Sequence, residues 1–177
     1  RCLAVRPDHQ GTPRRMILCF LDSSAVTKLF LEEQGSAEIR HYLADFYPTD
    51  IMVSRLAELE VTSALQRVAV SGKISESERD CHRDELADWL GNVSQVDIDD
   101  RPLYTAKSLL VRYDHLRTLD AIQLASALLV RASLQHTDTL FFLASDHRLL
   151  KAARAEGFEV WDPADPTSRP IPAVPVN

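Results

Sequence analysis

The chain has 177 residues, of which 45% are hydrophobic, enough to bury one core of ordinary domain size. Its formal net charge of -6 argues against a basic protein that coats nucleic acid without specificity. A nuclease stays compatible with this charge, because acids gathered in a metal site raise the negative count while the ion cancels part of it locally.

Hydropathy and cysteine content restrict the class of protein. No apolar run approaches the about 20 residues that a membrane-spanning helix needs, and the N-terminus does not show the regions of a signal peptide. The cysteines, Cys2, Cys19 and Cys81, are odd in number and lack C-x-x-C spacing, so neither a disulfide framework nor a zinc site is indicated. We expect a soluble cytoplasmic protein that has buried or inert thiols and no membrane partner.

The first half of the chain predicts alternating strands and helices. Residues 1–15 are rich in charge, Pro and Gly and have no hydrophobic period, so we interpret them as a disordered or non-native extension. An apolar run with strand character, MILCFLD, starts at Met16. Helical periods follow in SAVTKLFLEE and SAEIRHYLADF, a strand is predicted near DIMVS, and a long helix is predicted from about Arg55 to Val70.

Helix-start signals organise the second half. Ser75 and Glu78 form a capping box before an amphipathic helix, and VDID then indicates a short strand. Pro102 suits the first turn of a helix that runs to about Arg112, and Thr118 can cap the very apolar helix LDAIQLASALLVRA.

The end of the domain is predicted from its clearest strand, TLFFLAS. A helix then begins at Asp146 and ends at Gly157, and FEVW is a last strand. The alternation predicts one parallel α/β domain over residues 16–162, followed by a Pro-rich extended tail over residues 163–177.

Several acids follow predicted strands. In open parallel sheets the loops at the carboxyl ends of the strands meet in one crevice, where their side chains converge. Asp22 and Asp146 occupy such places, but so do Asp99, Asp100 and Asp162. Position alone therefore gives more acids than one site can use.

Structural explanations exist for the same acids. Asp22 and Asp146 could each cap the following helix, and the helix dipole favours a negative charge at Asp120 in a first turn. Asp120 and Glu60 nevertheless interrupt strongly apolar helices, where a buried carboxylate is costly unless it is paired or bound to a cation. Helical periodicity cannot choose between Glu58 and Glu60, because they flank the apolar arc of their helix from opposite sides.

The order of four motifs resembles the PIN-domain family: LDSSAVTKLFL, LAELEVTSAL, LRTLDAIQLASAL and FLASDHRLLKAARAEGFEVWD. The resemblance covers Met16 to about Asp162 and implies a three-layer α/β/α sandwich with a mainly parallel central sheet. It assigns the family's catalytic and metal-binding acids to Asp22, Glu60, Asp120 and Asp146.

The resemblance also makes finer assignments. It selects Glu60 over Glu58 through the following VTSAL, and it identifies Ser24 and Thr118 as hydroxyl residues that support the acids. Gln123, on one helical stripe with the third acid, departs from the His that is frequent at this place in the family. That departure leaves the acid cluster intact.

The implied activity is that of the VapC-like toxins, metal-dependent ribonucleases that hydrolyse RNA phosphodiester bonds. Oxygen ligands without Cys or His favour Mg²⁺ or Mn²⁺ over zinc, and such an ion would activate a water for attack on phosphorus. The resemblance further implies a small antitoxin protein as partner and a homodimer. His115 and His147 lie near the acids in the sequence, and we expect both to be exposed and without a role.

Two other functions are compatible with an α/β domain. A receiver-type or phosphoryl-transfer domain would use Asp22 directly. It fits less well, because such a domain needs a second acid near the first strand and a Lys after a late strand, whereas the acids of this chain recur at late helix and strand ends. A non-catalytic interaction module would keep the fold and lose a ligand, whereas all four acids are present here.

Overall fold

The computed structural model describes residues 15–165, 167, 169 and 170. Its central sheet has five strands: β1 (Ile17–Leu21), β2 (Ile51–Ser54), β3 (Ser94–Val96), β4 (Thr139–Leu143) and β5 (Glu159–Trp161). The strand order is β3-β2-β1-β4-β5, and all four strand pairings are parallel. The predicted parallel α/β architecture is confirmed.

Helices connect consecutive strands. They are α1 (Ser23–Phe30), α2 (Ser36–Leu43), α3 (Leu56–Val70), α4 (Glu76–Asn92), α5 (Asp100–Arg112), α6 (Thr118–Ser133) and α7 (His147–Ala155), with a 3₁₀ turn at Pro48–Asp50. Among the residues described, no helix is long and apolar enough to cross a membrane.

Both faces of the sheet are covered, which makes the three layers that were predicted. Successive side chains of a strand point to opposite faces. Leu18 and Phe20 therefore pack with the buried residues of α5, α6 and α7, whereas Cys19 and Leu21 pack with those of α1 to α4. Side chains on both faces of β1 are almost fully buried, as expected for the central strand of a parallel sheet.

Local signals placed most helix ends correctly. Ser75 and Glu78 form the predicted capping box, in which the Ser75 hydroxyl accepts from the Glu78 N–H and the Ser75 N–H donates to the Glu78 carboxylate. Thr118, however, is the first residue of α6 and not its cap. The N-cap is Arg117, whose N–H donates to Asp120 Oδ2 at 3.1 Å, so the carboxylate at the third helical position, and not a hydroxyl at the cap, makes the side-chain hydrogen bond at this helix start.

The third strand was predicted too late in the chain. VDID was expected to form the strand, but only its first residue belongs to β3, because β3 pairs Ser94 to Val96 with β2 and the chain then leaves the sheet. Asp99 follows as the N-cap of α5 and accepts from the Arg101 N–H at 3.0 Å.

The residues after β5 pack on the loop before α2. Pro163 is buried, and a Cβ on Gly35 would lie 2.5 Å from the Pro163 carbonyl carbon. Gly35 also has a φ of +90°, a conformation that residues with a side chain rarely adopt. Contact therefore continues past residue 162, the predicted end of the domain. Residues 1–14 of the expected extension and residues 166, 168 and 171–177 of the expected tail lie outside the described residues.

Candidate active site

Two loops meet at the carboxyl edge of the sheet. Asp22 directly follows β1 and Asp146 follows β4, and these two strands are neighbours. The Asp22 N–H donates to the Leu143 carbonyl at 2.9 Å, and the Ser145 N–H donates to the Ser24 hydroxyl at 2.8 Å. The connections from β1 and from β4 leave in opposite directions along the sheet, the position at which open α/β sheets place their ligands.

Asp22 is a buried carboxylate with only 7% of its surface exposed. Its Oδ2 accepts from the Ser24 N–H at 3.0 Å and from the Ser24 hydroxyl at 2.7 Å, which makes Asp22 the N-cap of α1. Burial raises the pKa of Asp22 to about 6; the hydrogen bonds from Ser24 oppose that rise, and the charge of Glu60 adds to it. None of the ion pairs among the described residues includes Asp22.

Glu60 lies beside Asp22, on α3. Its Oε2 accepts from the Ser23 hydroxyl at 2.5 Å and from Gln123 Nε2 at 2.7 Å. Glu58, two residues earlier on the same helix, is exposed. The helix therefore directs Glu60, and not Glu58, toward α1 and α6, the side on which the resemblance expected a ligand.

The other two acids form a second pair. Burial raises the pKa of the half-buried Asp120, and the charge of Asp146 adds to that rise. Asp146 is the N-cap of α7, accepts from the N–H groups of Arg148 and Leu149, and pairs with the Arg148 guanidinium at 3.0 Å. The hydrogen bond from that guanidinium is the main reason why the pKa of Asp146 is lowered.

Electrostatic coupling therefore joins Asp22 with Glu60 and Asp120 with Asp146. Within the described part of the chain, no three His, Cys, Asp or Glu side chains stand close enough to hold a metal ion as they are oriented. The donor chemistry nevertheless fits a hard cation, since all four groups are carboxylates. Asp22 in particular is a buried carboxylate that has no positively charged partner among the described residues, and a buried charge is costly unless it is paired or bound to a cation.

The supporting residues differ from those that were predicted. Ser24 contacts Asp22, as expected, whereas Thr118 is exposed at the first position of α6. Sequence reasoning missed Ser23, which lies against Glu60, and gave no role to Asp162. The Asp162 carboxylate accepts from the Ser145 hydroxyl at 3.1 Å, and it thereby holds the loop that carries the fourth acid. The position of Asp162 directly after the last strand was the sequence signal that could have placed it near the other acids.

The two histidines have different environments. His147 is exposed, as predicted. The prediction of exposure was wrong for His115, which is half-buried, with its ring centroid 5.9 Å from that of Tyr113. Both rings belong to the segment between α5 and α6, where no helical or strand period exists from which their contact could be predicted.

An apolar groove of about 520 Å³ lies on the side of the sheet covered by α1, α2 and α4. Phe30, Phe46 and Trp89 give it aromatic walls, and Phe30 and Trp89 meet edge to face. None of the four acids is among its lining residues.

Comparison with known proteins gives the family. Residues 19–155 match the family model of the PIN domain. Ribonuclease VapC46 of Mycobacterium tuberculosis is 35% identical over 149 residues, which span 84% of this chain and 100% of the relative.

Solved structures share the fold. The crystal structure of VapC20 from Mycobacterium tuberculosis, described as a sarcin-ricin loop cleaving toxin, superposes with a TM-score of 0.57 at 19% identity and covers 79% of this chain and 95% of that one. A toxin-antitoxin complex from Klebsiella pneumoniae gives a TM-score of 0.52 at 17% identity, and the match covers 72% of this chain and 86% of that one. With the matched family model and the relative of full coverage, these similarities show that the chain belongs to the PIN-domain family.

Proposed function

We propose that this chain is a metal-dependent ribonuclease that hydrolyses RNA phosphodiester bonds and acts as the toxin of a toxin-antitoxin pair. One observation carries the proposal: Asp22 is a buried carboxylate beside Glu60 at the carboxyl edge of the sheet, and no ion pair among the described residues includes it. A cation is what such a group lacks. The similarity to a relative named as a ribonuclease supports RNA as the substrate.

The residues that would hold Mg²⁺ or Mn²⁺ are Asp22, Glu60, Asp120 and Asp146. When bound, the ion supplies an activated water and neutralises charge that develops on the phosphate. The chain itself contributes orientation: Ser24 fixes the Asp22 carboxylate, and the N–H groups at the start of α7 fix that of Asp146.

We further propose a small antitoxin as the partner, supported by the toxin-antitoxin complex that shares this fold. The groove between Phe30, Phe46 and Trp89 has the aromatic, concave character that takes apolar side chains of a bound segment. A homodimer is proposed as well. Tyr104 and Val111 lie two turns apart on α5, and they are 74% and 91% exposed; apolar surface of this kind is common in interfaces between subunits.

RNA cleavage by the purified chain tests the proposed activity. We expect cleavage with Mg²⁺ or Mn²⁺, none with EDTA, and recovery when the metal is restored. Asp22→Asn and Asp146→Asn should each lower the rate on the order of 100-fold or more. Asn caps helices as well as Asp does, so both variants should fold.

Asp99→Asn is the matched control, because Asp99 is also the N-cap of a helix that follows a strand but lies outside the site. It should cleave at the wild-type rate. Cleavage that persists in EDTA, or an Asp22→Asn variant as active as wild type, would contradict the proposal.

A further inference from the structure

Gln123 is an almost fully buried amide in the middle of the site. It is only 1% exposed and lies on α6, one turn after Asp120. Its Nε2 donates to Glu60 Oε2 at 2.7 Å and to the Ser23 hydroxyl at 2.6 Å. The amide thus joins α6 to α3 and α1 at the point where two of the proposed ligands lie.

Core packing does not explain why a polar residue occupies this position. Gln123 Oε1 is buried and has no hydrogen-bond partner among the described residues. Leaving a buried acceptor unpaired costs free energy that an apolar side chain of similar volume would avoid. The hydrogen bonds that Gln123 Nε2 donates to Glu60 and Ser23 therefore explain the amide better than packing does.

Charge fixes the orientation of that amide. If its oxygen and nitrogen were exchanged, Oε1 would face the Glu60 carboxylate, and two acceptors would meet without a proton between them. With Nε2 toward Glu60, a neutral donor stabilises the negative charge, and no second charge is introduced. The unpaired Oε1 is the cost of this orientation.

Ser23 completes a triangle with Gln123 and Glu60. The Ser23 hydroxyl donates to Glu60 Oε2 at 2.5 Å and accepts from Gln123 Nε2. Two donors on different helices thus converge on one carboxylate oxygen, which limits rotation of the Glu60 side chain and leaves its other oxygen without either bond.

We propose that Gln123 is a positioning residue that, together with Ser23, holds the Glu60 carboxylate ready to bind a divalent cation. This inference rests on the proposed function, since it needs Glu60 to be a ligand. Partners that orient metal ligands typically contribute about 10- to 100-fold to metal affinity or activity. Gln123 should therefore affect Mn²⁺ binding more than it affects folding.

Isothermal titration of Mn²⁺ into the full chain tests the inference, and thermal melting without metal accompanies it. Gln123→Met keeps a long side chain and removes the donor. We expect Mn²⁺ affinity to fall about 10- to 100-fold, with a melting temperature no lower than that of wild type. The matched control is Ser126→Ala on the same helix, since the Ser126 side chain is fully buried and its hydroxyl donates to the Ile122 carbonyl, away from the acids. It should leave Mn²⁺ affinity unchanged.

Ser23→Ala is a second variant, which keeps the test valid if Gln123→Met fails to fold. It removes the other donor to Glu60 and should also weaken Mn²⁺ binding. If wild type binds Mn²⁺ and cleaves RNA while both variants bind as tightly as wild type, the inference is wrong and the proposed function stands. If wild type neither binds Mn²⁺ nor cleaves RNA, both are overturned.

Discussion

The Asp22–Glu60 pair and the Asp120–Asp146 pair contain the same chemical groups in different surroundings. Asp22 is 7% exposed, and the side chain that donates to it is the neutral hydroxyl of Ser24. The Asp146 side chain is 30% exposed and pairs with Arg148. Burial accordingly raises the pKa of Asp22 to about 6, whereas the Arg148 guanidinium lowers the pKa of Asp146.

This difference indicates where a cation would stabilise the chain most. In the second pair, Asp146 already has a positive partner in Arg148, and both carboxylates are partly exposed to solvent, so their charges cost less than that of Asp22. In the first pair, Asp22 is almost fully buried and no ion pair among the described residues includes it, so a bound ion would provide charge compensation there. The four acids are therefore unequal, and substitutions should separate them.

The largest effect is expected at Glu60. Glu60→Gln keeps the size of the side chain and removes a charge from the proposed site, so the RNA cleavage rate should fall on the order of 100-fold or more. Glu58→Gln is the control on the same helix; Glu58 is exposed, and a surface change is usually worth less than about 0.5 kcal/mol. Rates measured with the same RNA and metal compare the two. A slow Glu58→Gln variant beside a fast Glu60→Gln variant would assign the ligand to Glu58.

A smaller effect is expected in the pH dependence of the metal-free chain. Because the folded pKa of Asp22 lies at about 6, above its ordinary 3.8, the folded state binds this proton more tightly than the unfolded state does. Stability from this group is present below about pH 4 and is lost as the pH rises to about 6, a total of about 3 kcal/mol.

Urea unfolding in EDTA between pH 4 and 8 measures this loss. Asp22→Asn should remove it, and the variant should therefore be more stable than wild type at pH 7. Asp99→Asn serves as the control, since it leaves the Asp22 titration in place. If Asp22→Asn loses stability with pH as steeply as wild type, burial does not raise the pKa of Asp22.

The smallest effect is expected at Arg148. The ion pair with Asp146 is partly exposed on both sides, and pairs of this kind contribute about 0–1 kcal/mol. Because the pKa of Asp146 is lowered in the folded chain, its charge stabilises the fold at a pH above the ordinary pKa of an aspartate. This stabilisation is lost as the pH falls through the lowered pKa. Arg148→Gln should therefore lower the free energy of unfolding by less than about 1 kcal/mol at pH 7, and by less at pH 3 than at pH 7. A loss of several kcal/mol would show that the second pair is not solvent-screened.

Asp22 and Asp146 could be placed from the sequence, because strand patterns and the topology of parallel sheets bring the ends of β1 and β4 together. The choice of Glu60 over Glu58 came from family resemblance and not from helical periodicity, which left both on the border of the apolar face. The contacts of Gln123 were not predictable. They join residues 100 and 63 positions apart, and such contacts depend on how helices pack across the domain.

The second-half elements show the same limit. In the prediction, β3 was displaced by two to three residues and the cap of α6 by one residue. A short strand is defined by its pairing partner, and a cap by whichever acceptor reaches the free N–H groups. Local sequence lists the possible acceptors, and tertiary structure selects among them.

Thermal unfolding as a function of Mn²⁺ concentration at pH 7, for wild type and Asp22→Asn in parallel, tests the central claim most directly. A ligand that binds only the folded state raises the midpoint with concentration. We predict a rising midpoint for wild type and a nearly constant, initially higher one for Asp22→Asn. A wild-type midpoint that does not change with Mn²⁺ would contradict the account and favour a PIN domain that acts through interaction alone.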